Sequence, residues 1–320
     1  MDNKIRDKNR LRLIISRNQT ELLLVLILVL LIVFFGITSP VFLKVDTLMK
    51  LLKQASIYGI IAIGMVFVIT SSGIDLSVGS VVGLSGIIVA MCMVKGIPVI
   101  LSVILAVAAS VLVGLFNGIL VYNAKVPPFI ATMGSMTIVR NFILMITGAK
   151  TISNLPKGFT GFASKSFLGI PYLFLTWFAI ILLGLFITKK TRFGRNMYAF
   201  GSNKEAARLS GINVRATQYG VYIFSAIVCG IAGILLAARL GNGVPTSGTG
   251  YELDAIAAAV VGGASLDGGE GSVIGTVLGA MIMATLRQGG TLLGINSFIM
   301  EIIIGSLIVI AVVLDKMRKR

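Results

Sequence analysis

The sequence contains no histidine and only two cysteines, and charged residues fill just 12% of its 320 positions. Each shortage excludes something. Without histidine, the commonest general base and the commonest metal ligand are gone. Cys92 and Cys229 both lie inside apolar runs, which argues for packed or lipid-facing thiols and against a disulfide framework. A soluble domain carries about twice this share of charge. A water-soluble fold of this length could not cover its outside with so few polar groups, so lipid must be its outer solvent.

What is present agrees. Apolar residues make up 56% of the chain and the mean hydropathy is +0.99. The net charge of +16 does not indicate nucleic acid, because Lys and Arg sit between apolar runs and at the two ends rather than on one basic module. That distribution is the pattern of a membrane protein whose cytoplasmic loops are enriched in basic residues.

Residues 1–19 are polar and basic, with Lys4, Arg6, Lys8, Arg10, Arg12 and Arg17. Apolar runs follow near 22–42, 54–71, 77–94, 97–122, 128–147, 170–188, 217–240, 253–264, 271–288 and 297–314. A helix of about 20 apolar residues spans the hydrocarbon core. The first run is too long for the apolar region of a cleavable signal. The expected fold is therefore an all-α polytopic bundle of about ten spans. The run at 253–264 is short, and those at 77–94 and 271–288 are rich in glycine, so these three read as broken helices as readily as simple spans.

Ten spans put both termini on one side. That side then carries 18 Lys and Arg and the other carries nine, with Arg140 left inside a span. The excess places the termini and the 189–216 loop in the cytoplasm. The resulting layout is a basic cytoplasmic N-terminus at 1–19, a transmembrane domain at 20–315 and a basic cytoplasmic C-terminus at 316–320. One internal repeat stands out. Residues 75–83 and 267–275 share the pattern D-x-x-x-G-S-V-[VI]-G, offset by 192 positions. Two related halves around a pathway are common in transporters; ten spans make these two copies parallel, and one span more or fewer between them makes them inverted.

The most charged interior stretch is the 189–216 loop. Within it, Asn203-Lys-Glu-Ala-Ala-Arg-Leu-Ser-Gly211 reads as a short helix, with Asn203 as N-cap, Glu205 in the first turn and Gly211 as the stop. Two turns are not stable alone in water, so such a helix needs a surface to dock against. A solvated basic loop is the plainer reading of the same residues.

Several segments, in one order, resemble a known family. Residues 205–212, E-A-A-R-L-S-G-I, preceded by R-F-G-R-N-M-Y-A-F-G, are similar to the coupling loop of ABC-transporter permeases. G-I-D-L-S-V-G-S at 73–80, V-P-P-F-I-A-T-M-G at 126–134 and A-A-A-V-V-G-G-A-S-L-D-G-G-E-G-S at 257–272 resemble the ribose-type sugar permeases of bacteria. The likeness runs over most of residues 20–315. It implies the membrane subunit of a binding-protein-dependent importer in the bacterial plasma membrane, with two permease copies forming the pathway. A separate ATPase would dock on Asn203, Glu205, Ala206, Ala207, Arg208 and Gly211. An extracytoplasmic binding protein would deliver the sugar. No cofactor or metal is implied. The related branched-chain amino-acid permeases share the plan, but the G-I-D-L-S stretch favours the sugar branch.

The other polar features are weighed against this. Ser71-Ser-Gly-Ile-Asp75-Leu-Ser77 reads both as a polar break lining a pathway and as a capped helix start. With Asn117 and Asp267, residues Ser71, Asp75 and Ser77 are the candidate pathway positions. The glycine-rich stretch at 262–272 lacks a following G-K-[ST], so it is a turn rather than a phosphate loop. Glycines four apart, at 79/83, 114/118 and 271/275/279, let helices approach closely. Arg140 and Glu301 are candidates for an ion pair. The competing function is an ion-coupled transporter needing no partner, which requires mid-span carboxylates; Asp75, Asp254, Asp267 and Glu301 read as closer to span ends. A membrane-embedded enzyme lacks any nucleophile or metal motif.

Overall fold

The structure is a computed structural model that describes residues 19–318. The basic N-terminal segment at 1–18 and the last two residues lie outside the described part. Ten apolar runs give ten principal helices, close to where hydropathy puts them: α1 (Gln19–Thr38), α2 (Val45–Thr70), α3 (Val78–Val94), α4 (Val99–Tyr122) and α5 (Pro128–Thr147), then α7 (Tyr172–Lys190), α10 (Val214–Leu240), α11 (Tyr251–Val261), α12 (Val273–Leu292) and α13 (Ser297–Arg318). Shorter helices sit in the loops: α6 (Lys157–Ser164), α8 (Arg192–Ser202) and α9 (Lys204–Leu209). A hairpin of two very short strands, β1 (Ser166–Phe167) with β2 (Ile170–Pro171), precedes α7.

Local chemistry sets the boundaries. Pro128 opens α5, where its missing N–H is no loss. Gly148 and Gly241 end α5 and α10 in the left-handed conformation, at φ 58° and 70°. Thr191, Asn203, Asn213 and Ser272 cap α8, α9, α10 and α12 with side-chain oxygens.

Seven helices are long and apolar enough to cross a membrane, namely α1, α2, α4, α5, α7, α10 and α13. α2 and α10 are buried along most of their length and form the centre, flanked by α3, α4, α11 and α12. α1 and α13 expose most of their apolar side chains, as do the outer faces of α4, α5 and α7; these meet lipid. The glycine spacings serve packing inside this one chain. A Cβ on Gly114 would strike the backbone of α10 at Tyr222, and one on Gly275 or Gly279 would strike the backbone at Gly262 or Ala258.

The weak runs are broken crossings. α11 has 11 residues, about 16 Å of helix, roughly half of a hydrocarbon core. Its crossing is completed by the irregular segment 241–250. Likewise α3, with 17 residues, is preceded by the irregular segment 71–77. The two broken crossings run in opposite directions and lie side by side. Gly243 packs on Ala90 beside Gly86, Gly83 faces Ser247 and Gly79 faces Gly248, and a Cβ on Gly243, Gly83 or Gly79 would have no room. Irregular backbone at membrane depth is tolerated only where protein covers it; here α3 covers the 241–250 break, while Thr132 on α5 and Ser225 on α10 meet the 71–77 break.

Hydrogen bonds place the chain ends. Ser272 Oγ bonds Glu21 Oε1 at 3.2 Å, and Lys316 Nζ meets Asp267 Oδ1 at 2.7 Å. The start of α1 and the end of α13 thus share a face with the 262–272 loop. Ser72 Oγ donates to Gly201 at the end of α8, so the 191–213 segment lies on that face too. Opposite it, Ile152 and Gly243 exchange backbone hydrogen bonds of 2.8 Å. The two copies of the sequence repeat both start helices that leave the first face, α3 and α12, and so run parallel. Their environments differ: Asp75 is buried within the bundle, whereas the Asp267 side chain is half exposed at the face.

Candidate functional site

The first break builds a buried polar cluster. The Ser77 N–H and Oγ–H both donate to Asp75 Oδ1, at 2.9 and 2.6 Å. Asn117 Nδ2 on α4 donates to Ser77 Oγ at 2.9 Å, and Ser135 on α5 donates to Asn117 Oδ1. Ser225, near the middle of α10, donates to Asp75 Oδ2 at 3.5 Å. Thr132 Oγ1 accepts from the Leu76 N–H and lies 3.1 Å from the Ile74 carbonyl, so it replaces helix hydrogen bonds that the break cannot make. The side chains of Asp75, Ser77, Asn117, Thr132, Ser135 and Ser225 are all buried. Among the described residues no Lys or Arg pairs with Asp75, whose oxygens are met by hydroxyl and amide donors. Tyr222, one turn below Ser225 on α10, lies against Gly73 with its hydroxyl unpartnered, and Gln218 Oε1, one turn below that, is also unpartnered.

Of the five candidate pathway positions, the structure brings together Asp75, Ser77 and Asn117. Ser71 and Asp267 lie elsewhere. They line an open cavity of about 660 Å³ at the first face, beside Gln218, Asn203, Glu205 and Lys125. Two expectations from the sequence are overturned. Asp75 is interior rather than near a span end, beside Ser225 of mid-α10, because its broken crossing starts α3 inside the bundle; Asp254 is buried at the start of α11. Arg140 and Glu301 do not pair. Arg140 donates to the carbonyls of Pro245, Ser247 and Gly79 at 3.0, 2.7 and 3.2 Å, which binds the two broken crossings together. Glu301 pairs with Arg287 at 2.9 Å, and Arg287 also meets the buried Asp254.

The 189–216 loop forms two helices beside the 660 Å³ cavity. α8 packs Met197 and Phe200 inward. α9 has the expected form: Asn203 Oδ1 accepts from the Ala206 N–H at 2.9 Å, and Gly211 stops the helix at φ 78°. Ala207 is buried against Phe200 and Val214. Glu205, Arg208 and Leu209 stand out into solvent. Glu205 and Arg208 form an exposed ion pair, and the hydrogen bonds from Arg208 hold the Glu205 carboxyl below the usual carboxylate range. A second cavity of about 760 Å³ flanks α9, with Lys125, Lys204, Arg208 and Arg215 among its lining.

Sequence reasoning missed Ser72, Thr132, Ser135, Arg140 in its true role, Gln218, Tyr222 and Ser225. The signal was present on α10, where Gln218, Tyr222 and Ser225 share one face at helical spacing within an apolar run. It is a weak signal, since serines in helices often bond back to their own backbone, as Ser135 also does to Ala131.

An all-α bundle with seven helices long and apolar enough to span a membrane among the described residues, and a buried polar cluster inside it, is that of a polytopic membrane protein. The chain matches the family described as "Branched-chain amino acid transport system / permease component" over residues 47–312, and it belongs to that family. It is 41% identical over 291 residues to the ribose import permease protein RbsC of Bacillus subtilis, covering 90% of each chain. It is 37% identical to the RbsC of Escherichia coli K12, over 91% of this chain and 92% of that one. It is 35% identical to the xylose transport system permease protein XylH of Haemophilus influenzae, over 94% and 97%. No solved structure matches.

Proposed function

We propose that this chain is the membrane subunit of an ATP-driven importer that moves a pentose of the ribose or xylose kind into the cytoplasm by alternating access. The sugar class rests on the relatives, which carry ribose and xylose in their names and match at least 90% of the chain. The observation that supports ATP coupling is α9. It is a capped two-turn helix, anchored by Ala207 and exposing Glu205, Arg208 and Leu209, and it stands beside basic cavities on one face. An isolated helix of this length would not hold in water. It is built to enter a groove on a partner.

In this reading the first face is cytoplasmic, by the excess of Lys and Arg there, and both termini lie on it. A separate ATPase grips Asn203, Glu205, Ala206, Arg208 and Gly211 of the 189–216 loop, while Ala207, expected among the contact residues, is buried and holds α9 to its own chain. A second permease copy completes the pathway, and an extracytoplasmic binding protein delivers the sugar to the opposite face. Nucleotide binding biases the two-state pathway because the partner grips α9 differently in its open and closed forms. The Asp75–Ser77–Asn117 cluster is buried and bonded within itself, so a sugar meets it only in a state of the alternating-access cycle that opens the 71–77 break.

The test is reconstitution of the permease with its ATPase and binding protein in liposomes. Labelled ribose or xylose should enter only with ATP, and an ionophore that collapses ion gradients should leave uptake intact. Uptake that follows an ion gradient without ATP would refute the reading.

A further inference from the structure

We propose that Ser72 is a positioning residue that carries the movement of the coupling segment into the broken crossing, an inference that rests on the ATP-driven import reading. Three stretches far apart in sequence meet at this side chain. Its hydroxyl lies 2.6 Å from the carbonyl oxygen of Gly201, at the end of α8, and 3.0 Å from that of Asp267, in the loop between α11 and α12. One hydroxyl hydrogen is shared between the two acceptors. The backbone closes the same knot, since the Gly269 N–H donates to the Thr70 carbonyl at 2.8 Å. Gly201 and Gly268 have no room for a Cβ, because the Thr70 carbonyl and the Ser72 hydroxyl occupy it.

The residue type is informative. The end of α2 is a left-handed helix terminus, with Gly73 N–H bonded to Val68 O at 3.0 Å and Ser72 N–H to Ile69 O at 2.9 Å. The residue that turns this corner is Ser72, at φ 58°, where glycine is the usual occupant. Glycine stands one position later, at Gly73. A serine in the strained position supplies the one thing glycine lacks there, a hydroxyl that reaches two other segments.

The placement links function to structure. Gly201 lies two residues before Asn203, the cap of α9. Ser72 lies three residues before Asp75, the centre of the buried cluster. A displacement of α8 and α9 by the ATPase is therefore delivered to the start of the 71–77 break, with the Ser72 hydroxyl as the side-chain link beside the backbone contacts. The Asp267 carbonyl on the same hydroxyl brings in the loop that leads back into α11, the helical half of the second broken crossing.

Two variants separate the hydroxyl from the backbone in the reconstituted transporter. Ser72→Gly suits the left-handed conformation and removes the hydroxyl. Ser72→Ala removes only the hydroxyl. The first readout is sugar moved per ATP hydrolysed. Glycine and alanine should both lower it by about fivefold to tenfold, the scale of one ordinary hydrogen bond. The second readout needs no sugar. In a transporter carrying Ile74→Cys, with Cys92→Ser and Cys229→Ala, ATP should change the rate at which the introduced thiol is alkylated, and Ser72→Gly should abolish that change. A merely structural serine would alter the melting temperature without altering either readout. Normal coupling in the glycine variant overturns the inference, as does recovery by glycine of what alanine loses. An alkylation rate indifferent to ATP when Ser72 is intact instead refutes the ATP-driven reading on which the inference rests, and an ATP-dependent change that persists in Ser72→Gly overturns the inference itself. Failure of the sugar assignment shows only in the first readout, as absent ribose and xylose uptake with an intact ATP-dependent alkylation change.

Discussion

Arg287 Nη2 lies 2.7 Å from Asp254 Oδ1 and so joins the half-helix α11 to the full-length α12. The carboxylate is almost fully buried, and Arg287 is largely so. Glu301 on α13 takes the other side of the guanidinium at 2.9 Å and is mostly exposed. α11 is too short to be held by a membrane as a span, so its position depends on contacts of this kind.

The cost of breaking the pair follows from that burial. Arg287→Gln leaves a buried, unpaired carboxylate and should lower stability by about 3–5 kcal/mol. Arg287→Gln with Asp254→Asn removes the stranded charge and should recover part of the loss. Glu301→Gln, at the solvated end, should cost less than about 1 kcal/mol. Thermal unfolding of these three detergent-solubilised variants against the parent checks the order. Equal effects of Arg287→Gln and Glu301→Gln would contradict it.

The contact between the broken crossings gives a second prediction. A methyl group on Gly79 meets the Gly248 carbonyl and the Glu252 carboxylate, which belong to the other crossing. Gly79→Ala must push α3 away from the second broken crossing, and overpacking of this kind costs about 1–3 kcal/mol. Gly134, in the interior of α5, has nothing within 4 Å of the added methyl. Gly134→Ala should therefore be neutral or stabilise by up to about 1 kcal/mol through helix propensity. Melting temperatures of the two variants check this: Gly79→Ala should melt below the parent and Gly134→Ala at or above it.

Arg140 supplies a third. Its guanidinium satisfies carbonyls on both broken crossings, two on 241–250 and one at Gly79. Arg140→Met keeps the bulk and removes every donor, stranding carbonyls that the irregular backbone cannot satisfy itself; hydrogen bonds to a charged group are worth about 1.5–3 kcal/mol each. Arg140→Lys restores the charge but not the planar fork that reaches separated acceptors, so it should fall between parent and Met. Hydrogen exchange at 243–250 reads the effect directly, with faster exchange expected in the order Lys, then Met. Unchanged exchange in the Met variant would remove Arg140 from this role.

These three sites also show where the sequence was legible. The ten apolar runs became ten helices because lipid leaves the backbone little choice. The caps at Asn203 and Gly211 were readable because capping is local chemistry, set by residues within one turn. The weakness of the runs at 77–94 and 253–264 was visible as glycine and shortness. Their remedy was not, because it is tertiary: the 241–250 break is covered by α3 and the 71–77 break by α5 and α10, elements distant in sequence. Arg140 had an obvious charge but no readable partner, since backbone carbonyls leave no mark in a sequence. Ser72 sat unremarked between Ser71 and Gly73, as nothing local announces a hydroxyl aimed at Gly201 and Asp267.

Docking and folding separate at α9. Glu205 is exposed and its pair with Arg208 is solvated, so Glu205→Arg should leave the melting temperature where it is. Ala207 is buried between Phe200 and Val214, so Ala207→Arg should dislodge the helix and lower the melting temperature. Both should uncouple transport from ATP hydrolysis, but only the second should destabilise the protein. The pH dependence has a defined sign. The Glu205 carboxyl is held below its ordinary range by Arg208, so the pair persists at and above the usual carboxylate range and is lost only as pH falls through the lowered value. Coupling should therefore be flat around neutral pH and fail only in acid, and Glu205→Gln should reproduce the acid behaviour at neutral pH. Normal sugar uptake per ATP in the stable Glu205→Arg transporter would show that the partner does not grip α9 through this residue.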